Sequence, residues 1–146
     1  MRAISIRTGL LMLGGFVLFF LLMYVLGLGH VSELRLFNGV IHLVCMSMAV
    51  RAYYHLHPEN KENYVTGVIQ GMSASIIGVL GFASFITIML TIDPSLMAAI
   101  RNKSNFGAAL TPFMAGVFIV TEGIVVGLVG SYLVTRMYLR NKTEEV

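Results

Sequence analysis

The sequence predicts an all-α protein, a polytopic membrane four-helix bundle with a short interfacial helix between helices 3 and 4. Three observations predict it. Hydrophobic residues make up 57% of the 146 and charged residues 12%, against about 45–50% and about 25% in a soluble domain. Mean hydropathy is +0.83, and a domain this small in water has too little interior to hide so much apolar surface. The charges gather in residues 2–7, 33–35, 51–62, 93–103 and 136–145, leaving long apolar stretches between them. The chain, 1–146, reads as a single transmembrane domain.

The apolar stretches are residues 8–28, 34–54, 64–92 and 108–139. A spanning helix needs about 20 mostly apolar residues. The first two stretches fit that length. The last two exceed it, so each tilts or projects past the hydrocarbon. Arg2 and Arg7 before the first stretch, and Gly27-Leu28-Gly29 at its end, imitate a secretion signal. The apolar core is longer than the roughly 7–15 residues of such a signal, so it reads as a retained helix.

The connections follow from local chemistry. Residues 29–33 leave room only for a tight hairpin. Pro58, in the polar turn of residues 57–63, stops the second helix, and Asn63 is placed to cap the third. Asp93-Pro94 joins an N-cap to a proline at the first helical position. Leu96, Met97 and Ile100 then share one face with Arg101 and Lys103 nearby, which predicts an interfacial helix over residues 94–103. Residues 105–107 return the chain to the membrane.

Orientation follows from lysine and arginine. With the N-terminus cytoplasmic, that side holds seven of them: Arg2, Arg7, Arg51, Lys61, Arg136, Arg140 and Lys142. The other side holds three, Arg35, Arg101 and Lys103. Both termini are therefore expected inside. The net charge of +3 fits basic flanks lying on anionic headgroups and calls for no nucleic acid. Cys45, the one cysteine, lies in an apolar run and reads as a small core residue. The ten methionines read as gap-filling or lipid-facing.

Fifteen glycines is a high count, and their spacing is helical. Gly67, Gly71, Ala74, Ser75, Gly78 and Gly81 mark one face of the third helix. Gly116, Gly123, Gly127 and Gly130 mark one face of the fourth. In lipid, close backbone approach at small residues drives association. Gly67, Gly71, Gly78, Gly123 and Gly127 are thus the expected helix-packing residues, within one chain or between chains.

Glu122 lies near the middle of the fourth stretch, among apolar neighbours. An ionised carboxylate there is costly unless paired, so Glu122, read as a buried acid, is expected to be protonated, hydrogen-bonded or next to a wet cavity. Asn38, His42 and Cys45 share a face of the second helix, and Gln70 lies in the third. The expected intramembrane polar cluster is therefore Glu122, His42, Asn38 and Gln70. A His42–Glu122 pair would act either as a structural clamp between helices or as a proton relay. The clamp is preferred, because polar groups in membranes also serve as glue.

Catalytic signatures are missing: no P-loop, G-x-S-x-G, H-E-x-x-H or paired-cysteine motif occurs. No enzyme activity, catalytic residue, metal or cofactor is expected. His42 and His55 are 13 residues apart, a spacing suited to two stacked haems, but each haem needs an axial partner from a second such helix. His55-Leu56-His57 with Glu59 reads as a solvated helix end.

Several features resemble a bacterial four-helix membrane family catalogued as a domain of unknown function. They are the polar turn after the second helix, the Asp93-Pro94-Ser95-Leu96-Met97 element, the Thr111-Pro112 entry to the last helix, and Glu122-Gly123-Ile124-Val125-Val126-Gly127-Leu128-Val129. The likeness covers most of residues 34–142. It implies the bacterial inner membrane and supplies no activity or site residue. The expected function is a non-enzymatic accessory or structural subunit of a larger membrane assembly, docking through its small-residue faces. The alternative is a small oligomeric proton-linked transporter or channel using a buried Glu122. Expected partners are the lipid bilayer and other membrane proteins or further copies of the chain.

Overall fold

The computed structural model describes residues 2–28, 35–58, 63–104 and 107–143. The expected turns at residues 29–33 and 59–62, and the return at 105–106, lie outside the described residues. Every regular element among the described residues is helical: α1 (Arg2–Val25), α2 (Arg35–Leu56), α3 (Tyr64–Ile92), α4 (Pro94–Lys103), a 3₁₀ turn (Gly107–Ala109) and α5 (Pro112–Thr143).

The helix ends follow from capping chemistry. α1 starts earlier than its apolar run, at Arg2, because Ser5 and Gly9 already face the interior. It ends in a Schellman turn: Leu28 N–H donates to Met23 O (2.8 Å), Gly27 N–H donates to Tyr24 O (3.0 Å), and Gly27 takes φ +72°. Asn63 caps α3 by accepting from Thr66 N–H at 3.3 Å. Asp93 caps α4, its Oδ1 accepting from Ser95 N–H (3.0 Å) and Leu96 N–H (3.1 Å), with Pro94 in the first turn. α5 starts at Pro112, not at residue 108, because Thr111 Oγ1 accepts from Met114 N–H at 3.2 Å and so acts as the cap.

Among the described residues, three helices are long and apolar enough to cross a membrane: α1, α3 and α5 over Pro112–Arg140. α2, expected as a further span, is not among them; its Asn38, His42, Ser47 and Arg51 dilute its apolar character. α3 is central, with 39% of its apolar window buried against 17% for α1 and for α5. It packs on α1, α2, α4 and α5.

Side-chain register gives the directions. Ser5 meets Gln70, Met12 faces Gly78 and Phe16 meets Phe82, so α1 runs parallel to α3. Met46 faces Gly130 and Tyr54 stacks on Tyr138, so α2 runs parallel to α5. α3 and α5 are antiparallel and most closely joined: Gly67 faces Thr135, Gly71 faces Ser131, Ser75 faces Gly127 and Val79 faces Gly123. Each layer sets a glycine against a hydroxyl or branched side chain, one four-residue step apart on both helices. A Cβ on Gly67 would sit 2.6 Å from Thr135 Cγ2, and one on Gly123 would sit 2.5 Å from Val79 Cγ1. Gly78 differs: it admits Met12 of α1, whose Sδ would lie 2.7 Å from an added Cβ. All the packing glycines therefore serve contacts within the chain.

The core is unequal along its length. Toward α4 it is apolar: Phe16, Phe82, Ile86, Leu90, Leu96 and Met97 pack together, with Phe20 and Phe85 beside them. Toward the end that holds residues 2 and 143, it carries the buried Ser5, Gln70, Ser131 and Thr135. A cluster of Tyr53, Tyr54 and Tyr138 closes that end.

Candidate functional site

α2 turns its polar stripe inward. His42 and Cys45 are buried, and Asn38 is half-buried. His42 Nε2 and Ser75 Oγ share a hydrogen bond of 2.7 Å. The imidazole tautomer sets its direction: Ser75 donates to a bare Nε2 and accepts from a protonated one. Phe16 of α1 approaches the ring edge-on, with centroids 5.8 Å apart and planes at 83°. Three helices thus enclose His42.

α5 completes the enclosure through an absence of side chain. A Cβ on Gly127 would run into Ser75 Oγ and would stand 3.1 Å from Ser75 Cβ. Glycine at 127 therefore makes room for the hydroxyl that holds His42. Seam and polar contact are one feature at this level.

The structure corrects the expected cluster. Glu122 is exposed on α5, not buried. The helix points Gly123, Gly127, Gly130, Ser131 and Thr135 inward. Glu122 is turned about 100° from Gly123 by the helical pitch, away from that face. His42 is instead paired with Ser75 of α3, a residue that sequence spacing marked only as a small packing position. Gln70 is buried, but its Nε2 donates to Ser5 Oγ (2.8 Å), tying α3 to α1. Asn38 Oδ1 is enclosed and has no hydrogen-bond partner among the described residues. The four expected residues therefore do not converge on one point.

Other contacts gave no clear signal in the sequence. Tyr64 OH donates to Tyr132 O (2.8 Å), and Tyr54 OH donates to Asn63 O (3.0 Å), fastening the entry of α3 to its neighbours. At the opposite end Tyr24 OH donates to Asp93 Oδ2 (2.7 Å). The Ser95 hydroxyl, then Tyr24 OH and the Leu96 N–H, hold the Asp93 carboxyl down to about 2. Arg101 Nε donates to Leu110 O (2.8 Å), folding the 3₁₀ turn back on α4.

Chemically, His42–Ser75 and Gln70–Ser5 are interhelical ties. Such bonds in membranes contribute about 0.6–2 kcal/mol each. Among the described residues, no three His, Cys, Asp or Glu side chains gather to hold a metal. His55 is exposed, and His57 stacks on Tyr53 with centroids 4.8 Å apart. No family model, curated protein or solved structure matches the chain. The likeness to a bacterial four-helix family thus rests on sequence motifs alone.

Proposed function

We propose that the chain is a component of the bacterial inner membrane, a four-helix bundle with α4 at the headgroups, acting without catalysis as an accessory or structural subunit. It joins other membrane polypeptides through the outward face of α5. One observation carries this reading: Glu122 is exposed at mid-height of an apolar helix. It lies ten residues beyond Pro112, or about 15 Å at helical rise. Its neighbour Gly123 packs on Val79, near the midpoint of α3. An acidic side chain at the bilayer centre costs about 2.5–3.5 kcal/mol. A protein neighbour in place of lipid lowers the cost of an acidic group on that outward face.

Packing supports α2 as the fourth span, since its 22 residues lie against α1, α3 and α5. The exposed Arg2, Arg7, Arg51, Arg136 and Arg140 at one end support cytoplasmic termini. Tyr64 and Tyr132, near that same end, suit a headgroup belt. The small-residue faces, which serve intrachain packing, leave the α5 exterior as the docking surface. A proton pathway through a single chain would need the opposite face of α5 turned inward, and an oligomeric proton-linked transporter or channel would have to bury Glu122 between copies, so the subunit reading stands first. The test is native mass spectrometry of the gently solubilised protein. The wild type should carry additional polypeptide mass, and Glu122→Leu should lose it. A bare single chain in both samples overturns the reading.

A further inference from the structure

Tyr64 opens α3 and reaches across to α5: its hydroxyl donates to Tyr132 O at 2.8 Å, and the two rings meet edge to face with centroids 5.5 Å apart. In the helical ladder that carbonyl is also the acceptor for the N–H of Arg136, one turn on. The Tyr132 hydroxyl and the Arg136 guanidinium both lie within electrostatic reach of the Tyr64 hydroxyl. Two phenols and a guanidinium therefore gather on the α3–α5 seam, at the end that holds residues 2 and 143, and Tyr132 and Arg136 are exposed. Arg51, exposed at the same end, is placed differently: the tyrosines that follow it, Tyr53 and Tyr54, are buried. From Arg136 toward mid-membrane, α5 presents Tyr132, Leu128 and Ile124 at steps of four, all exposed. The ladder reads guanidinium, phenol, apolar, apolar over about 18 Å at helical rise.

We propose that this ladder binds one anionic phospholipid, its phosphate on Arg136 and the Tyr132 hydroxyl and an acyl chain along Leu128 and Ile124. The proposal rests on the membrane placement argued above and not on the subunit role. A guanidinium presents two parallel N–H donors that match two phosphate oxygens. The Tyr132 hydroxyl is a further donor. Tyr64 has its own proton committed to Tyr132 O and so positions the phenol beside it. Tyrosine rings are favoured at the depth where headgroup meets hydrocarbon. Charge selects the headgroup class. At this end the sequence sets seven Lys and Arg against Glu59, Glu62, Glu144 and Glu145. A headgroup of net negative charge gains from that excess, and one that brings its own cation gains less. The lipid leaves the docking face clear, since Leu128, six residues beyond Glu122, is turned about 120° from it.

The experiment titrates the full chain in detergent with phosphatidylglycerol or with phosphatidylcholine and reads the first lipid adduct by native mass spectrometry. The wild type should hold phosphatidylglycerol the more tightly. Arg136→Gln should weaken that binding about 10- to 150-fold, the range for hydrogen bonds to a charged group. Arg51→Gln removes the same charge at the same end and should weaken it about 5-fold or less, the effect of one basic residue near an anionic surface. Tyr132→Phe should weaken it about 2- to 10-fold, through loss of one hydroxyl donor. Equal losses for Arg136→Gln and Arg51→Gln overturn the proposal, leaving only diffuse attraction to the basic end. Equal affinity for the two lipids overturns it too. A bound polypeptide registers as a separate mass, so failure of the lipid site leaves the subunit reading intact, and a chain without a polypeptide partner leaves the lipid site intact.

Discussion

Replacing Gly127 with alanine tests the link between the helix seam and the His42 contact. The added Cβ would collide with Ser75 Oγ and stand 3.1 Å from Ser75 Cβ and 3.4 Å from Met72 Sδ. Two responses are available. α5 can move away, an overpacking cost of about 1–3 kcal/mol. Ser75 can instead rotate its hydroxyl off His42, losing a bond worth about 0.6–2 kcal/mol in a membrane. The cheaper response is taken, so Gly127→Ala should cost about 0.6–2 kcal/mol, bounded by these two routes. Ser75→Ala removes the bond directly and leaves a buried imidazole nitrogen unsatisfied, costing about 1–3 kcal/mol. In the double variant the colliding oxygen is gone and the bond is already lost. The double cost should therefore fall short of the sum by about 1 kcal/mol or more, above the roughly 0.5 kcal/mol scatter of independent sites. The assay is unfolding in mixed micelles titrated with a denaturing detergent and followed by circular dichroism. Gly39→Ala is the control, because a Cβ there meets nothing within 4 Å. Additive single costs, or a Gly127→Ala variant as stable as the Gly39→Ala control, would refute the coupling.

Three further outcomes follow from the same contacts. Gly27→Ala should destabilise by about 1–2 kcal/mol through left-handed backbone strain alone, since Gly27 has φ +72° and open space around it; the same unfolding titration measures it. Gln70→Leu removes the donation to Ser5 that ties α1 to α3 and should cost about 0.6–2 kcal/mol, read as a lower midpoint in that titration. The Asp93 carboxyl is lowered from 3.8 to about 2, so its capping of α4 is complete above the ordinary value and is lost as pH falls through about 2. Tyr24→Phe removes one of the groups lowering it, so the Asp93 carboxyl resonance should titrate at higher pH by NMR. An unchanged midpoint would exclude the Tyr24 contact in solution.

Local chemistry was readable wherever one short segment contains all the parts. Asn63 and Asp93-Pro94 act on amides two or three residues away, so spacing alone locates the starts of α3 and α4; the apolar run instead sets the start of α5 at residue 108, four residues ahead of Pro112, where the Thr111 cap places it. Glycine spacing in the third and fourth apolar stretches likewise marks faces of close approach. It does not say which helix arrives there: Gly78 receives Met12 of α1, while Gly123 receives Val79 of α3. The start of α1 was misjudged because Ser5 and Gly9 lie before or early in the apolar run, and only contact with α3 makes them interior residues.

By itself, then, the sequence determined that the chain is helical and apolar, with its charges, Glu122 apart, gathered toward the ends of the long stretches. Those properties depend on composition and on interactions a few residues long. Only the tertiary structure decided which side of α5 is the inside. A rotation of about 100° per residue separates Gly123 from Glu122, and the face that packs is the one whose glycines admit Ser75 and Val79. That choice pairs His42 with Ser75 and leaves the acidic side chain on the exterior, because close backbone approach and a bulky carboxyl cannot occupy the same seam.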